Sequence, residues 1–214
     1  MNKPCILAAA ALSPYYLEGL QAMGCEVLDR LHERDPEAFA REALRVRAVG
    51  AAGDSTVDAA LIERLPALEA ISVMGVGYDG IDLAAALPRG IAVGHTPGVL
   101  NDDVADLALA LMLAVSRGVI SADAHLRAGR WPQANRPLQR KMSGARLGLV
   151  GMGRIGRAIA QRALAFGMQV AYTSRRRKDD LPWDFHADVT ELAARSDFLV
   201  LITPGGAGTH HLID

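Results

Sequence analysis

The sequence predicts an α/β protein in which two parallel sheets, each covered by helices, follow one another, and three observations carry that expectation. Short apolar runs alternate with helical segments along residues 1 to 98, the pattern of a parallel sheet with helices on both faces. A second series of such runs, from Ala145 to Ile202, is interrupted early by Gly151-Met-Gly-Arg-Ile-Gly156. Between the two series stands Leu100–Val115, apolar on most faces, which predicts a buried crossing helix.

Half of the 214 residues are hydrophobic, 22% are charged and the formal net charge is −1. That balance gives material for a core and argues against a nucleic-acid or membrane-surface partner. No run approaches the roughly 18 uninterrupted apolar residues of a membrane helix. Cys5 and Cys25 each belong to an apolar run, so buried reduced thiols, and with them a cytoplasmic location, are expected. Lys3 ahead of an apolar run imitates a short signal peptide. Ser13-Pro14 stops that run and a helix follows at once, so it is read as the first strand.

In the first series the expected strands are Cys5–Ala9, Cys25–Leu28, Val46–Val49, Ala70–Val73 and Ile91–Val93, with helices over Pro14–Met23, Pro36–Leu44, Val57–Leu65 and Leu83–Leu87. Asp35 before Pro36 is an N-cap followed by proline in the first turn. The Leu100–Val115 helix takes Asn101 as its N-cap, with acids in the first turn. A shorter helix over Ser121–Leu126 leads to Trp131, which is either a packing residue or a dimer contact, and to a polar stretch ending at Lys141. The second series continues with strands over Ala145–Val150, Met168–Thr173, Phe185–Ala187 and Phe198–Ile202, and helices over Arg157–Phe166 and Thr190–Arg195.

The glycine motif follows a strand and opens a helix, which is the context of a dinucleotide-binding turn. Gly151 permits the sharp turn, Gly153 lets the backbone approach a pyrophosphate, and Gly156 lets helix and strand pack. The phosphates then meet free N–H groups at a helix N-terminus. An NAD-selective site carries an acid about 20 residues further on, at the ribose hydroxyls. Here that place holds Ser174, followed by Arg175, Arg176, Arg177 and Lys178. Hydroxyl and guanidinium groups hold a 2′-phosphate where a carboxylate would repel it, so NADP(H) is favoured over NAD(H). A second glycine-rich loop, Val73-Met-Gly-Val-Gly-Tyr-Asp-Gly-Ile-Asp82, stands at the end of a strand. It is either a cradle of backbone N–H groups for a small carboxylate or a plain strand-to-helix turn capped by Asp82. Thr203-Pro-Gly-Gly206 is a turn placed to face the nicotinamide half of a cofactor.

The segments Gly75-Val-Gly-Tyr-Asp-Gly-Ile-Asp82, Thr96-Pro-Gly-Val-Leu-Asn-Asp-Asp-Val-Ala-Asp106, Ala128-Gly-Arg-Trp131, Gly151–Gly156, Tyr172-Thr-Ser-Arg-Arg176, Ser196-Asp-Phe-Leu-Val200 and Thr203–Gly206, taken in order, resemble the D-isomer-specific 2-hydroxyacid dehydrogenases, in particular the glyoxylate/hydroxypyruvate reductase branch. The resemblance implies a flavodoxin-like substrate domain over 1–98 and a Rossmann-type dinucleotide-binding domain over 99–214, the second incomplete after its fourth strand and the first lacking its C-terminal completion. It implies that Val76 and Gly77 bind the substrate carboxylate through their N–H groups. Gly153, Arg154, Ile155 and Gly156 would bind the pyrophosphate and Ser174–Arg177 the 2′-phosphate. Thr203, Pro204 and Thr209 would line the cofactor, and Val104 would lie near the nicotinamide.

Substrates would be small 2-oxo and 2-hydroxy acids, and the assembly a homodimer. The family's catalytic arginine, glutamate and histidine match no residue of this chain, so the expectation is an NADPH-dependent reductase of glyoxylate or hydroxypyruvate to the D-2-hydroxy acid, of which this chain holds the cradle without the catalysts, or else a non-catalytic NADP-binding module or pseudoenzyme. His95, His210 and His211 are read as packing or surface residues, no shared metal is expected at the adjacent pair, and His32, His125 and His186 belong to no carboxylate constellation.

Overall fold

The computed structural model describes residues 3–132, 136–206 and 208–213. The chain divides into two compact units, Met1–Val99 with Pro204–Asp214, and Leu100–Thr203.

In the first unit β1 (Cys5–Ala8), α1 (Pro14–Ala22), β2 (Glu26–Asp29), α2 (Leu31–Arg34), α3 (Pro36–Glu42), β3 (Val46–Ala52), α4 (Ala59–Glu63), β4 (Ala70–Met74), α5 (Leu83–Ala86) and β5 (Ala92–Gly94) follow in order. All strand pairs are parallel and the sheet order is β2-β1-β3-β4-β5. The helix starts are built from local chemistry: Ser13, Asp35, Asp58 and Asp82 each accept from an N–H in the first turn of α1, α3, α4 and α5. The single turn of α2 was not expected. It begins at Arg30, a non-glycine residue with φ of 47°, a conformation that no local pattern announces.

Alternation along the strands sorts the two faces of this sheet. Cys5, Leu7, Val49, Ile71 and Val73 pack with Phe39, Leu61, Ile62 and Leu65 in one buried cluster. Ile6, Ala48, Gly50 and Ser72 point the other way, where α1 leaves beside them an apolar groove of about 620 Å³.

The second unit runs α6 (Asn101–Arg117), α7 (Val119–Arg127), β6 (Arg146–Val150), α8 (Arg154–Leu164), β7 (Gln169–Thr173), β8 (Asp184–Phe185), α9 (Val189–Ala194) and β9 (Phe198–Leu201). Its sheet is parallel in the order β8-β7-β6-β9. Ile159, Ala160 and Ala163 of α8 and Ala105, Leu109 and Met112 of α6 share one core with Leu147, Leu149 and the fully buried Tyr172. Arg162 of α8 locks the two helices together through Asp102 at 2.8 Å and Asp106 at 2.5 Å. Arg146 does the same for the sheet, taking the Asp197 carboxylate with its backbone N–H and its guanidinium at 3.0–3.1 Å. These bonds hold Asp197 down to about pKa 2, the side-chain bond being the larger cause.

Two expectations are corrected here. Leu100, not Asn101, is the N-cap of α6, and it offers no side-chain cap because Asn101 is already helical. Nor is this crossing helix buried on all faces: Leu107, Leu111 and Val115 are exposed, continuing into Val119, Ile120 and Leu126 of α7. Its core side is only as wide as α8 and the sheet can cover. Pro204 onward groups with the first unit, and there the Gly205 N–H donates to Asp79 at 3.3 Å. Of the polar stretch before Lys141, residues 133–135 lie outside the described residues. No single helix among the described residues is long and apolar enough to cross a membrane, although α6 and α7 pass such a test as a pair bent by 59°.

Candidate functional site

Each unit carries a glycine turn at the C-terminal end of a parallel strand, where ligands of open α/β sheets bind. In the second unit the turn between β6 and α8 is shaped by what its glycines exclude. Gly151 has φ of 110°, and a Cβ there would collide with the Ile202 carbonyl oxygen. A Cβ at Gly156 would collide with the Gly151 carbonyl oxygen, so close helix–strand packing demands glycine at both. Gly153 is different: its backbone is extended, with φ of −84°, and a Cβ would meet nothing within 4 Å. It is the N-cap of α8 yet has no side chain with which to cap. The first-turn N–H groups, those of Arg154, Ile155 and Gly156 among them, are therefore left open, which is the chemistry of an anion site. A pyrophosphate fits this turn, because the space that glycine leaves empty lies against unsatisfied donors.

β7 lies beside β6 and leads into the basic loop. Past Thr173 the loop holds Ser174, half-buried, and Arg175, Arg176 and Arg177, all exposed. Arg175 and Arg176 form no ion pair among the described residues, whereas Arg177 approaches Asp179 at 4.0 Å. The Ser174 hydroxyl donates to the Arg176 carbonyl at 2.6 Å. That bond bends the loop, so the hydroxyl expected at a 2′-phosphate also shapes the segment that carries the guanidinium groups. Val104 is half-buried in the second turn of α6, and Thr203 ends this unit, also half-buried.

In the first unit the loop after β4 has features of both readings its sequence allowed. Asp82 caps α5, accepting from Ala85 N–H at 3.0 Å, as a plain turn requires. Even so, among the described residues the Val76 and Gly77 N–H groups of the same loop donate to no protein group while their residues are half-buried, so two backbone donors stand open beside the cap. Gly80 is fixed by the Ser55 carbonyl, against which a Cβ would collide. Thr96 N–H donates to Gly75 O at 2.9 Å, and Val57 N–H to Gly80 O at 2.8 Å. The sequence missed one contributor. His95, just past β5, bonds the Val76 carbonyl through Nδ1 at 2.9 Å and stands edge-on to Tyr78 with ring centroids 4.9 Å apart. The signal available was its place at the end of the strand next to β4, which no motif marks.

Pro204 and Thr209 belong to this unit too, where the Thr209 hydroxyl bonds the Pro204 carbonyl at 2.7 Å. Trp131 is 68% exposed, so it is not a core residue. His210 and His211 have ring centroids 4.0 Å apart, and the described residues hold no group of three or more side chains able to ligate a metal.

Residues 109–214 match the family model for the D-isomer specific 2-hydroxyacid dehydrogenase NAD binding domain. The chain is similar to a 2-ketogluconate reductase of Gluconobacter oxydans, 43% identical over 79% of this chain and 54% of the relative. It is 40% identical to a glyoxylate/hydroxypyruvate reductase B of Salmonella typhi, over 98% of this chain and 67% of the relative. Among solved structures, an NADPH-dependent glyoxylate/hydroxypyruvate reductase of Sinorhizobium meliloti, crystallised with NADP and malonate, superposes with a TM-score of 0.90 at 35% identity, covering 100% of this chain and 66% of that one. The chain thus spans between about half and two thirds of the length of these relatives.

Proposed function

The chain belongs to the D-isomer specific 2-hydroxyacid dehydrogenase family, and from that premise we propose that it is the cofactor- and carboxylate-binding part of a reductase. The reaction is NADPH-dependent reduction of a small 2-oxo acid, glyoxylate or hydroxypyruvate, to the D-2-hydroxy acid. The observation that carries this reading is the pair of glycine turns, each with backbone donors that no group among the described residues uses. The names of the Salmonella and Sinorhizobium relatives support the substrate class.

In this reading the Val76 and Gly77 N–H groups hold the substrate carboxylate, and His95 sets their loop through the Val76 carbonyl. The α8 N-terminus from Gly153 to Gly156 holds the pyrophosphate. Arg175 and Arg176 take the 2′-phosphate, with no acid at position 174 to oppose it. Val104, Thr203, Pro204 and Thr209 line the cofactor. A bound dihydronicotinamide supplies the hydride. Reducing a 2-oxo acid also needs a proton donor and a cation at the carbonyl, and the reading assigns these to no residue of this chain. The exposed apolar face of α6 and α7 supports a homodimer.

One observation favours a second reading, a cofactor-binding module without turnover: His95, the histidine next to the carboxylate loop, has its Nδ1 engaged by a carbonyl and no carboxylate partner among the described residues. Calorimetric binding of NADPH and NADH to the 214-residue chain, followed by binding of hydroxypyruvate and glyoxylate to the NADP-loaded chain, separates the readings. The binding part of a reductase is expected to take both NADPH and the 2-oxo acid, and the module is expected to take NADPH alone. Failure to bind either dinucleotide would sink both.

A further inference from the structure

The basic loop after β7 contains its own opposition: Arg175, Arg176, Arg177 and Lys178 are followed at once by Asp179 and Asp180. Two free carboxylates there would offset half of the positive charge on which a 2′-phosphate would depend. Asp180, however, is not free. The Arg157 guanidinium, reaching from the second turn of α8, takes both of its oxygens at 2.6 and 3.2 Å. Such a bidentate, charge-assisted pair is the geometry in which arginine neutralises a carboxylate most effectively. The Asp180 carboxyl is held below its usual range, the Arg157 hydrogen bond being the first cause.

The rest of the loop is fixed independently of that pair. The buried Tyr172 hydroxyl accepts from Lys178 N–H at 2.8 Å and donates to the Lys178 carbonyl at 3.3 Å. The Ser174 hydroxyl bends the loop onto Arg176. With shape secured by these bonds, the Arg157–Asp180 pair is left with an electrostatic task. We propose that Arg157 is a positioning residue for cofactor selectivity: it neutralises Asp180 and so keeps a carboxylate from opposing the 2′-phosphate of NADPH. This rests on the NADPH reading above. Arg157 acts through Asp180, not by touching the cofactor.

The test is equilibrium binding of NADPH and NADH to the whole chain by calorimetry, for wild type, Arg157→Gln, Asp180→Asn and the double variant, at low and high salt. Arg157→Gln should raise the Kd for NADPH about three- to fivefold, the size of an exposed charge interaction, and leave NADH unchanged. Asp180→Asn should leave NADPH binding equal or tighter, and the double variant should return to wild type. The Arg157→Gln effect should fade in about 1 M salt, where screening lengths fall to about 3 Å. The proposal is overturned if Arg157→Gln weakens both dinucleotides equally, if Asp180→Asn weakens NADPH as a lost tether would, or if the double variant stays as weak as Arg157→Gln. A wild-type chain that binds NADH as tightly as NADPH would instead refute the NADPH reading itself, before any variant is measured.

Discussion

Gly153→Ala and Gly151→Ala, two substitutions of the same size in the same turn, should fail in opposite ways. At Gly153 the backbone conformation is open to alanine and the added methyl meets nothing within 4 Å. Alanine is a poorer N-cap than glycine, but it restricts the unfolded chain, so the net change in folding free energy should stay within about 1 kcal/mol. In a chain of this length that moves Tm by no more than about 2–4 °C. In the proposed function the same methyl would occupy the space through which a pyrophosphate reaches the α8 N–H groups. Losing one hydrogen bond to a charged group costs about 1.5–3 kcal/mol, so the Kd for NADPH and NADH should rise about ten- to hundredfold.

Gly151→Ala instead forces alanine to φ near 110° and drives its methyl into the Ile202 carbonyl. Strain of about 2 kcal/mol or more is expected, with Tm lower by about 4–8 °C or more. Thermal unfolding by circular dichroism and cofactor titration by fluorescence, on both variants, give the answer. Wild-type cofactor affinity in Gly153→Ala would refute the assignment of this turn to the pyrophosphate, whatever its Tm.

Arg175→Asp and Arg176→Asp should each weaken NADPH about ten- to hundredfold, the range for a charge-assisted bond, and NADH far less; equal losses in a fluorescence titration would remove the 2′-phosphate from this loop. Asp197→Asn should lower stability at neutral pH by breaking the Arg146 bonds. Because the folded carboxyl sits at about 2 and its ordinary value is 3.8, the wild type's advantage is present above about pH 4 and is lost as pH falls towards 2, which urea midpoints across that range would show. Burial pushes the Cys5 thiol up, so a disulfide-exchange reagent should find Cys5 silent in the native chain and react first at the half-buried Cys25.

Much of this protein is written in short-range chemistry. Strand runs, aspartate caps and the Gly151–Gly156 turn depend on residues within a few positions of each other, so the sequence alone determined both α/β series, the glycine turn between β6 and α8 and the basic loop after β7. The resemblance carried by its motifs pointed to Val76 and Gly77. What the sequence could not contain is which elements become neighbours. His95 supports the Val76 carbonyl because β5 pairs with β4. Asp180 meets Arg157, and Asp102 meets Arg162, because α8 stands beside both the loop and α6. The apolar residues of α6 looked alike along the chain, and packing against α8 buried one side and left the other exposed. Residue patterning fixed what each segment is, while the parallel crossovers, which bring residues tens of positions apart into contact, decided which charges are free to hold a ligand.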